Sequence, residues 1–188
     1  MEVERTELRD VYMVKPQVMG DHRGYFIETY SKRVLRDMGL NANFVQDNES
    51  YTAKKGTLRG LHFQNNPYSQ LKLVRVLQGA VMDVAVDLRR GSPAFGRWVA
   101  VELTAANKHM FWIPRGFAHG FLTLTDDVIF AYKADNYYAP LFERNVRFDD
   151  PDIHIDWGIE NPVLSKKDTD APMLCDCDFN FKYREVDI

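Results

Sequence analysis

The sequence predicts an all-β chain closed into a sandwich or barrel, and three observations carry that prediction. Apolar residues recur at period two or in short runs, helix signals are few, and turn residues separate the runs at about 8–12-residue spacing. The clearest helix runs from Ser31 to Met38. Ser31 can cap its start, Val34, Leu35 and Met38 share one face, and Gly39 supplies the left-handed stop. Strands are expected at Leu71–Leu77 and Ala80–Leu88, on either side of a Gln78-Gly79 turn. Further strands are expected at Trp98–Leu103, His109–Ile113, Gly120–Leu124 and Val128–Lys133. Gly91-Ser92-Pro93, Ala105-Ala106-Asn107, Pro114-Arg115-Gly116 and Asp126-Asp127 separate them. After Tyr138 the pattern turns irregular and proline-punctuated, which predicts a tail packed over the barrel rather than a second domain.

Composition narrows the function. A chain of 188 residues, 45% hydrophobic and 27% charged, needs no disulfide or metal staple, because this length buries roughly 70% of its unfolded surface. Lys and Arg number 24 against 27 Asp and Glu, a net charge of −3. That argues against a polybasic nucleic-acid surface but leaves room for a local basic pocket. No apolar run approaches the ~18 residues of a membrane span, and Met1-Glu2-Val3-Glu4-Arg5 lacks a signal-peptide core. The expectation is a cytoplasmic single domain over residues 1–188 with no membrane or nucleic-acid partner. The spacing of Cys175-Asp176-Cys177 is poor for a disulfide and lacks the second ligand pair of a structural zinc site, so both are read as reduced thiols.

A small β-barrel encloses one pocket, lined by alternate strand residues. In Ala80–Leu88, Val81, Asp83, Ala85 and Asp87 share one face. Two readings of the aspartates stand, a solvated face and a pocket lining. Among His22, His62, His109, His119 and His154, two have specific surroundings: Leu58-Arg59-Gly60-Leu61-His62-Phe63-Gln64 and Ile113 to Phe121. The second contains Pro114-x-Gly116-x-x-His119, which resembles half of the cupin signature. In metal cupins the other half supplies His-x-His and then Glu around a divalent ion. Here it reads His62-Phe63-Gln64, then Gln70 and Lys72, so an ammonium stands near the position of the carboxylate ligand. This resemblance implies a cupin-like jelly-roll β-barrel with short flanking helices and a packed C-terminal tail, without the metal.

A longer ordered series is more specific. It comprises Asp21 to Glu28, Phe44 to Ser50, Gly56 to Gln64, Gln70 to Arg75, Asp83 to Arg89, Ser92 to Gly96 and Pro114 to Phe121. Tyr132-Lys133, Tyr137 to Pro140, Glu143, Asp149-Asp150-Pro151, Ile155-Asp156-Trp157 and Leu164-Ser165-Lys166-Lys167-Asp168 complete it. Over about residues 10–172 the chain resembles the dTDP-4-dehydrorhamnose 3,5-epimerase family of rhamnose biosynthesis.

The resemblance implies epimerisation beside a ketone, with no metal and no cofactor. It makes His62 the base and Asp168 its carboxylate partner; a neutral imidazole accepts a proton more readily when its other nitrogen donates to a carboxylate. Lys72 matches the group that supports the enolate oxygen, and Tyr132 the acid that returns a proton to the opposite face. On the residues alone, His62 could be a core histidine, Lys72 a surface lysine and Tyr132 a structural strand residue. The same resemblance gives Arg23, Glu28, Gln46, Asp47, Asn48, Arg59, Lys72, His119, Glu143 and Lys167 as substrate contacts. Tyr138, Tyr25 and Phe26 suit stacking on thymine or sugar, and Asp83 could pair with Lys72 or His119. Arg23 and Glu28 lie in a segment that the family lends to a neighbouring subunit, implying a homodimer with exchanged N-terminal strands.

Arg59 and His62 are an odd number of positions apart, so a regular strand would point them to opposite faces. If both line the pocket, Gly60 marks a bulge or kink. Glu49, Tyr51, Thr52 and Asp149 depart from the family's usual wording without removing a proposed catalytic group. The leading reading is the conversion of dTDP-4-dehydro-6-deoxy-D-glucose to dTDP-4-dehydro-L-rhamnose. The alternatives are a C3-only or C5-only epimerase, a non-catalytic sugar-nucleotide-binding barrel, and a metal-dependent cupin oxygenase.

Overall fold

The computed structural model describes residues 1–183. Alternation of side chains along each strand decides which layer that strand's two faces meet. The strands are β1 (Glu2–Arg5), β2 (Tyr12–Lys15), β3 (Val18–Asp21), β4 (Gly24–Ile27), β5 (Gln46–Thr52), β6 (Leu58–Gln64) and β7 (Lys72–Gln78). They continue with β8 (Ala80–Asp87), β9 (Trp98–Thr104), β10 (Met110–Ile113), β11 (Phe117–Thr123), β12 (Val128–Ala134) and β13 (Glu143–Asn145). Two short helices, α1 (Lys32–Asp37) and α2 (Lys166–Thr169), flank them. None of the described helices is long and apolar enough to cross a membrane.

The strands pair antiparallel in two main sheets. One follows the order β1-β2-β10-β7-β12-β5, the other β13-β6-β11-β8-β9, and β3 with β4 forms a separate hairpin. Between the two sheets, Val74, Val76, Phe111 and Phe130 pack with Val81, Ala85, Phe117 and Phe121. The second sheet is covered on its other face too, where Ile153, Trp157, Leu174, Phe179 and Phe181 lie over Val84, Val86, Leu88 and Ala118. The C-terminal tail is therefore a third layer, in the position the sequence suggests. On the opposite side, Leu35 of α1 and Leu40 pack against Val14, Leu73, Met110 and Trp112.

Local signals explain where elements start and stop. The Ser31 hydroxyl accepts from Val34 N, and Gly39, at φ 88°, ends α1 as expected. The Gln78-Gly79 turn carries the chain from β7 in one sheet to β8 in the other rather than closing a hairpin. Strand β11 begins earlier than expected, at Phe117, because all its residues are buried and no alternation marks its start. Six strands precede Leu71, where the sequence pattern predicts none. Four of them are only four residues long, and β5 carries polar Gln46, Asn48 and Ser50 on its less exposed face. Cys175 and Cys177 are free thiols.

Strand β6 does turn Arg59 and His62 to the same side, through a bulge. On β11, His119 opposes His62 and Phe121 opposes Arg59, so β6 carries one residue more than its partner over that stretch. Leu58 and Leu61 consequently both pack under the tail. Gly60 sits at φ 141°, and a Cβ there would lie 2.5 Å from Gly120 Cα and 3.1 Å from the His119 carbonyl oxygen. The two backbones meet where a side chain would otherwise be.

Gly60→Ala is expected to lose about 2–4 kcal/mol of stability, from backbone strain plus overpacking, read as a lower urea midpoint. Gly24→Ala is the control, since Gly24 lies at φ 134° and a Cβ there would meet nothing within 4 Å. Equal losses in the two variants would show that the close approach of β6 to β11 contributes nothing.

Candidate active site

The site lies between the sheets, at the end flanked by β5 on one side and by β6 with β13 on the other. His62 projects from β6 with its side chain about one-third exposed, and its Nε2 lies 2.6 Å from Asp168 Oδ1. Asp168, only 2% exposed, comes from α2. Burial opposes its ionisation, but hydrogen bonds from His62 and Ser165 outweigh that and hold the carboxyl below its ordinary range. An ionised carboxylate only accepts, so His62 carries its proton on Nε2 and keeps the Nδ1 lone pair available. That is the arrangement of a general base.

Lys72 enters from β7, with Nζ 5.5 Å from the centroid of the Tyr132 ring on β12. Burial lowers its ammonium to about 8, although Asp83 and Glu143 favour the charged form. Asp83 is fully buried, and its two oxygens lie 2.9 and 3.0 Å from His119 Nε2. Burial pushes its carboxyl upward against the pull of His119 and Lys72. The solvated-face reading of Asp83 therefore fails. Asp87 is buried as well, but it serves the fold by accepting from Arg89 and Ser92. The Tyr132 phenol is raised, first by burial and then by Glu143, so it keeps its proton through neutral pH.

The rim is a connected set of polar groups. Glu143 on β13 accepts from the Tyr138 hydroxyl at 3.1 Å and pairs with Lys167 at 2.6 Å. Tyr138 N donates to Gln46 Oε1 at 3.0 Å, and Gln46 Nε2 donates to Asn48 Oδ1 at 2.9 Å. The chain of hydrogen bonds ends at Asn48 Nδ2, a buried donor with no partner among the described residues. Arg59 reaches from β6 to β5, donating to Thr52 Oγ1 and to the Tyr51 carbonyl.

Three residues expected at the site stand apart from it. Asp47 alternates with Gln46 and Asn48, so it faces outward and pairs with Lys133 at 3.0 Å. Arg23 is in the β3–β4 hairpin, exposed and bonded to Asp21, and Glu28 is exposed just after it. Neither meets His62 within one chain. Two further residues belong to the site although the sequence pattern gives them no role. Ser165 donates to Asp168 Oδ2, and Asn145 Nδ2 holds the Lys167 carbonyl at 2.9 Å. The Ser-x-x-Asp spacing of a helix start is a usable signal for Ser165. A 390 Å³ cavity is lined in part by Leu73, Arg75, Met110 and Lys133 on the six-stranded sheet and also touches Asn48 and Tyr132.

Comparison with known proteins bears directly on this constellation. The sequence model of the dTDP-4-dehydrorhamnose 3,5-epimerase family matches residues 5–176. The chain belongs to that family. It is accordingly an isomerase. A curated family member from Shigella flexneri is 48% identical over 180 residues, covering 95% of this chain and 99% of its own. A solved dTDP-6-deoxy-D-glucose-3,5-epimerase from Legionella pneumophila, in complex with dTDP-4-keto-L-rhamnose, superposes with a TM-score of 0.93. It is 43% identical and covers 97% of this chain and 98% of its own. A 3'-monoepimerase from Streptomyces bikiniensis is more distant, at 34% identity and a TM-score of 0.85, covering 90% of this chain and 86% of its own.

The Lys72–Asp83 relation can be read by titration. With Lys72 followed by NMR in uniformly labelled protein, its ammonium should titrate near 8, far below an ordinary lysine. Asp83→Asn removes an anion that favours the charged form, so the Lys72 titration should move lower still. An unchanged midpoint would show that Asp83 does not act on Lys72.

Proposed function

We propose that this chain epimerises dTDP-4-dehydro-6-deoxy-D-glucose at C3 and C5, giving dTDP-4-dehydro-L-rhamnose for L-rhamnose synthesis. The observation that carries the reading is the 2.6 Å His62–Asp168 contact, set at the same end of the barrel as Lys72 and Tyr132. His62 Nδ1 removes the proton from carbon beside the C4 ketone. The electrons move onto the C4 oxygen, where the Lys72 ammonium stabilises the enolate. Tyr132 then gives its phenolic proton to the opposite face of that carbon. Solvent takes the proton from His62 and restores the one on Tyr132, so one base and one acid serve both carbons.

Lys72 sets the alkaline limit of this scheme, because its support is present below about 8 and fades above it. Asn48 Nδ2, Arg59 and Lys167 offer donors and charge to the sugar and diphosphate, with His119 and Tyr138 beside them. Glu143 holds Lys167 and Tyr138 in place. The higher identity to 3,5-epimerases than to the 3'-monoepimerase supports reaction at both carbons.

Arg23 and Glu28 fit this scheme if the β3–β4 hairpin serves a neighbouring subunit in a homodimer. An isolated two-stranded hairpin is marginal in water, and this one exposes Val18, Met19, Tyr25 and Phe26, the last at 65%. Seated on a partner, it would bury those side chains and bring its arginine to the partner's rim. A cytoplasmic location follows from the nucleotide-sugar substrate. Asp47, held by Lys133 on the outer face, would then bind substrate only after leaving that ion pair.

Proton NMR of the ketosugar in deuterium oxide tests the reaction. Wild-type protein should exchange and invert both C3 and C5. His62→Asn should lose ~10²–10⁴-fold of exchange at both positions. Tyr132→Phe should keep wash-in from the abstraction face while net inversion falls by at least ~10²-fold. Wild-type exchange in His62→Asn would end the assignment of the base. Sedimentation at assay concentration tests the assembly: a dimer is expected, and a fully active monomer would refute the shared site.

A further inference from the structure

We infer that Ser165 is a positioning residue for the His62–Asp168 pair, in addition to capping α2. The inference rests on the reading of His62 as the base. One hydroxyl performs two tasks here. Ser165 Oγ accepts from Asp168 N at 3.2 Å, which caps the helical turn, and it donates to Asp168 Oδ2 at 2.7 Å. The carboxylate is thus held from both ends, by His62 at Oδ1 and by Ser165 at Oδ2.

That second hold matters because rotation about the last bond of an aspartate is soft and roughly two-fold. Without the serine, Oδ2 would lose its side-chain donor in a buried position, and the carboxylate could turn away from the imidazole. The rest of the turn is already fixed. Asn145, directly opposite His62 on β13, binds the Lys167 carbonyl, and Lys167 itself is tied to Glu143. The free variable that remains is the carboxylate plane, and Ser165 sets it.

The serine also bears on charge. Donation from its hydroxyl favours the ionised carboxylate, alongside the His62 ring from β6 and the Gly60 backbone. The neighbouring charged groups, Glu143 from β13 and Lys167 on α2, offset one another as an ion pair. Removing the hydroxyl therefore lets Asp168 take up a proton at higher pH. A protonated Asp168 no longer fixes the His62 tautomer, so the acid limb of turnover should move upward.

Ser165→Gly separates the two tasks, since glycine is nearly as good a cap as serine but donates nothing. Turnover should fall about tenfold or more, as for loss of a hydrogen bond to a charged group, with KM changed less than about twofold. The acid limb should shift to higher pH. In ¹⁵N NMR, the His62 ring should change from a single Nε2–H tautomer to a mixture. Ser165→Thr should restore all three, and Ser165→Ala should repeat the glycine result in a background of different cap strength. Wild-type turnover, acid limb and tautomer in both Ser165→Gly and Ser165→Ala would overturn the inference and leave Ser165 a cap. His62→Asn measured in parallel keeps the two ideas distinct. Wild-type turnover there would remove the base reading, while the tautomer spectrum would still judge Ser165.

Discussion

Everything at this site depends on keeping one buried carboxylate ionised. Asp168 is almost wholly removed from water, and an unpartnered charge in that position would cost several kcal/mol. Its partners come from separate parts of the chain, His62 on β6 and Ser165 at the start of α2. They meet only because the segment after β13 returns across the second sheet and seats Trp157, Leu174 and Phe179 on it. Hydrophobic burial of that segment holds an acid against a base. The third layer of the fold is thereby part of the chemistry.

A second pair, a half-buried lysine and a fully buried aspartate, is arranged differently. Lys72 and Asp83 face the interior from opposite sheets, and burial drives each toward its neutral form while each draws the other toward its charged form. His119 shares the load by contacting both Asp83 oxygens and stacking at 6.0 Å on Phe130. The result is an ammonium that is weakly hydrated yet still charged near neutral pH. A cation in that condition interacts with a developing oxyanion far more strongly than one in water. The overall negative charge of the chain is no obstacle, because the relevant field is local.

Much of this is legible in the residues. α1 is readable because Ser31, the Val34, Leu35 and Met38 face and Gly39 all agree. β8 and β12 are readable because their runs are long and apolar. Once the family resemblance puts both Arg59 and His62 at the pocket, their parity conflict points to the bulge at Gly60. What stays hidden has physical causes. β5 reads as polar because its inward positions, Gln46 and Asn48, serve the site rather than the core, and that same polarity obscures the outward direction of Asp47. Ser165 and Asp168 are three positions apart, so their hydrogen bonds are local; what no local pattern encodes is where the tail folds back to set that pair against His62. Arg23 lies in an exposed hairpin and Glu28 just after it, so neither sequence periodicity nor the packing of this chain accounts for them.

The late position of Asp168 has a consequence for how the protein is made. Chains leave the ribosome amino end first, and the strands that build both sheets precede residue 146. His62, Lys72 and Tyr132 can therefore be assembled on a nascent barrel while the carboxylate that readies the imidazole is still unavailable. In the proposed scheme, proton abstraction has to wait until the segment that carries Asp168 has emerged and folded back. Carrying that group on the covering layer makes synthesis through α2 a condition of the proposed activity.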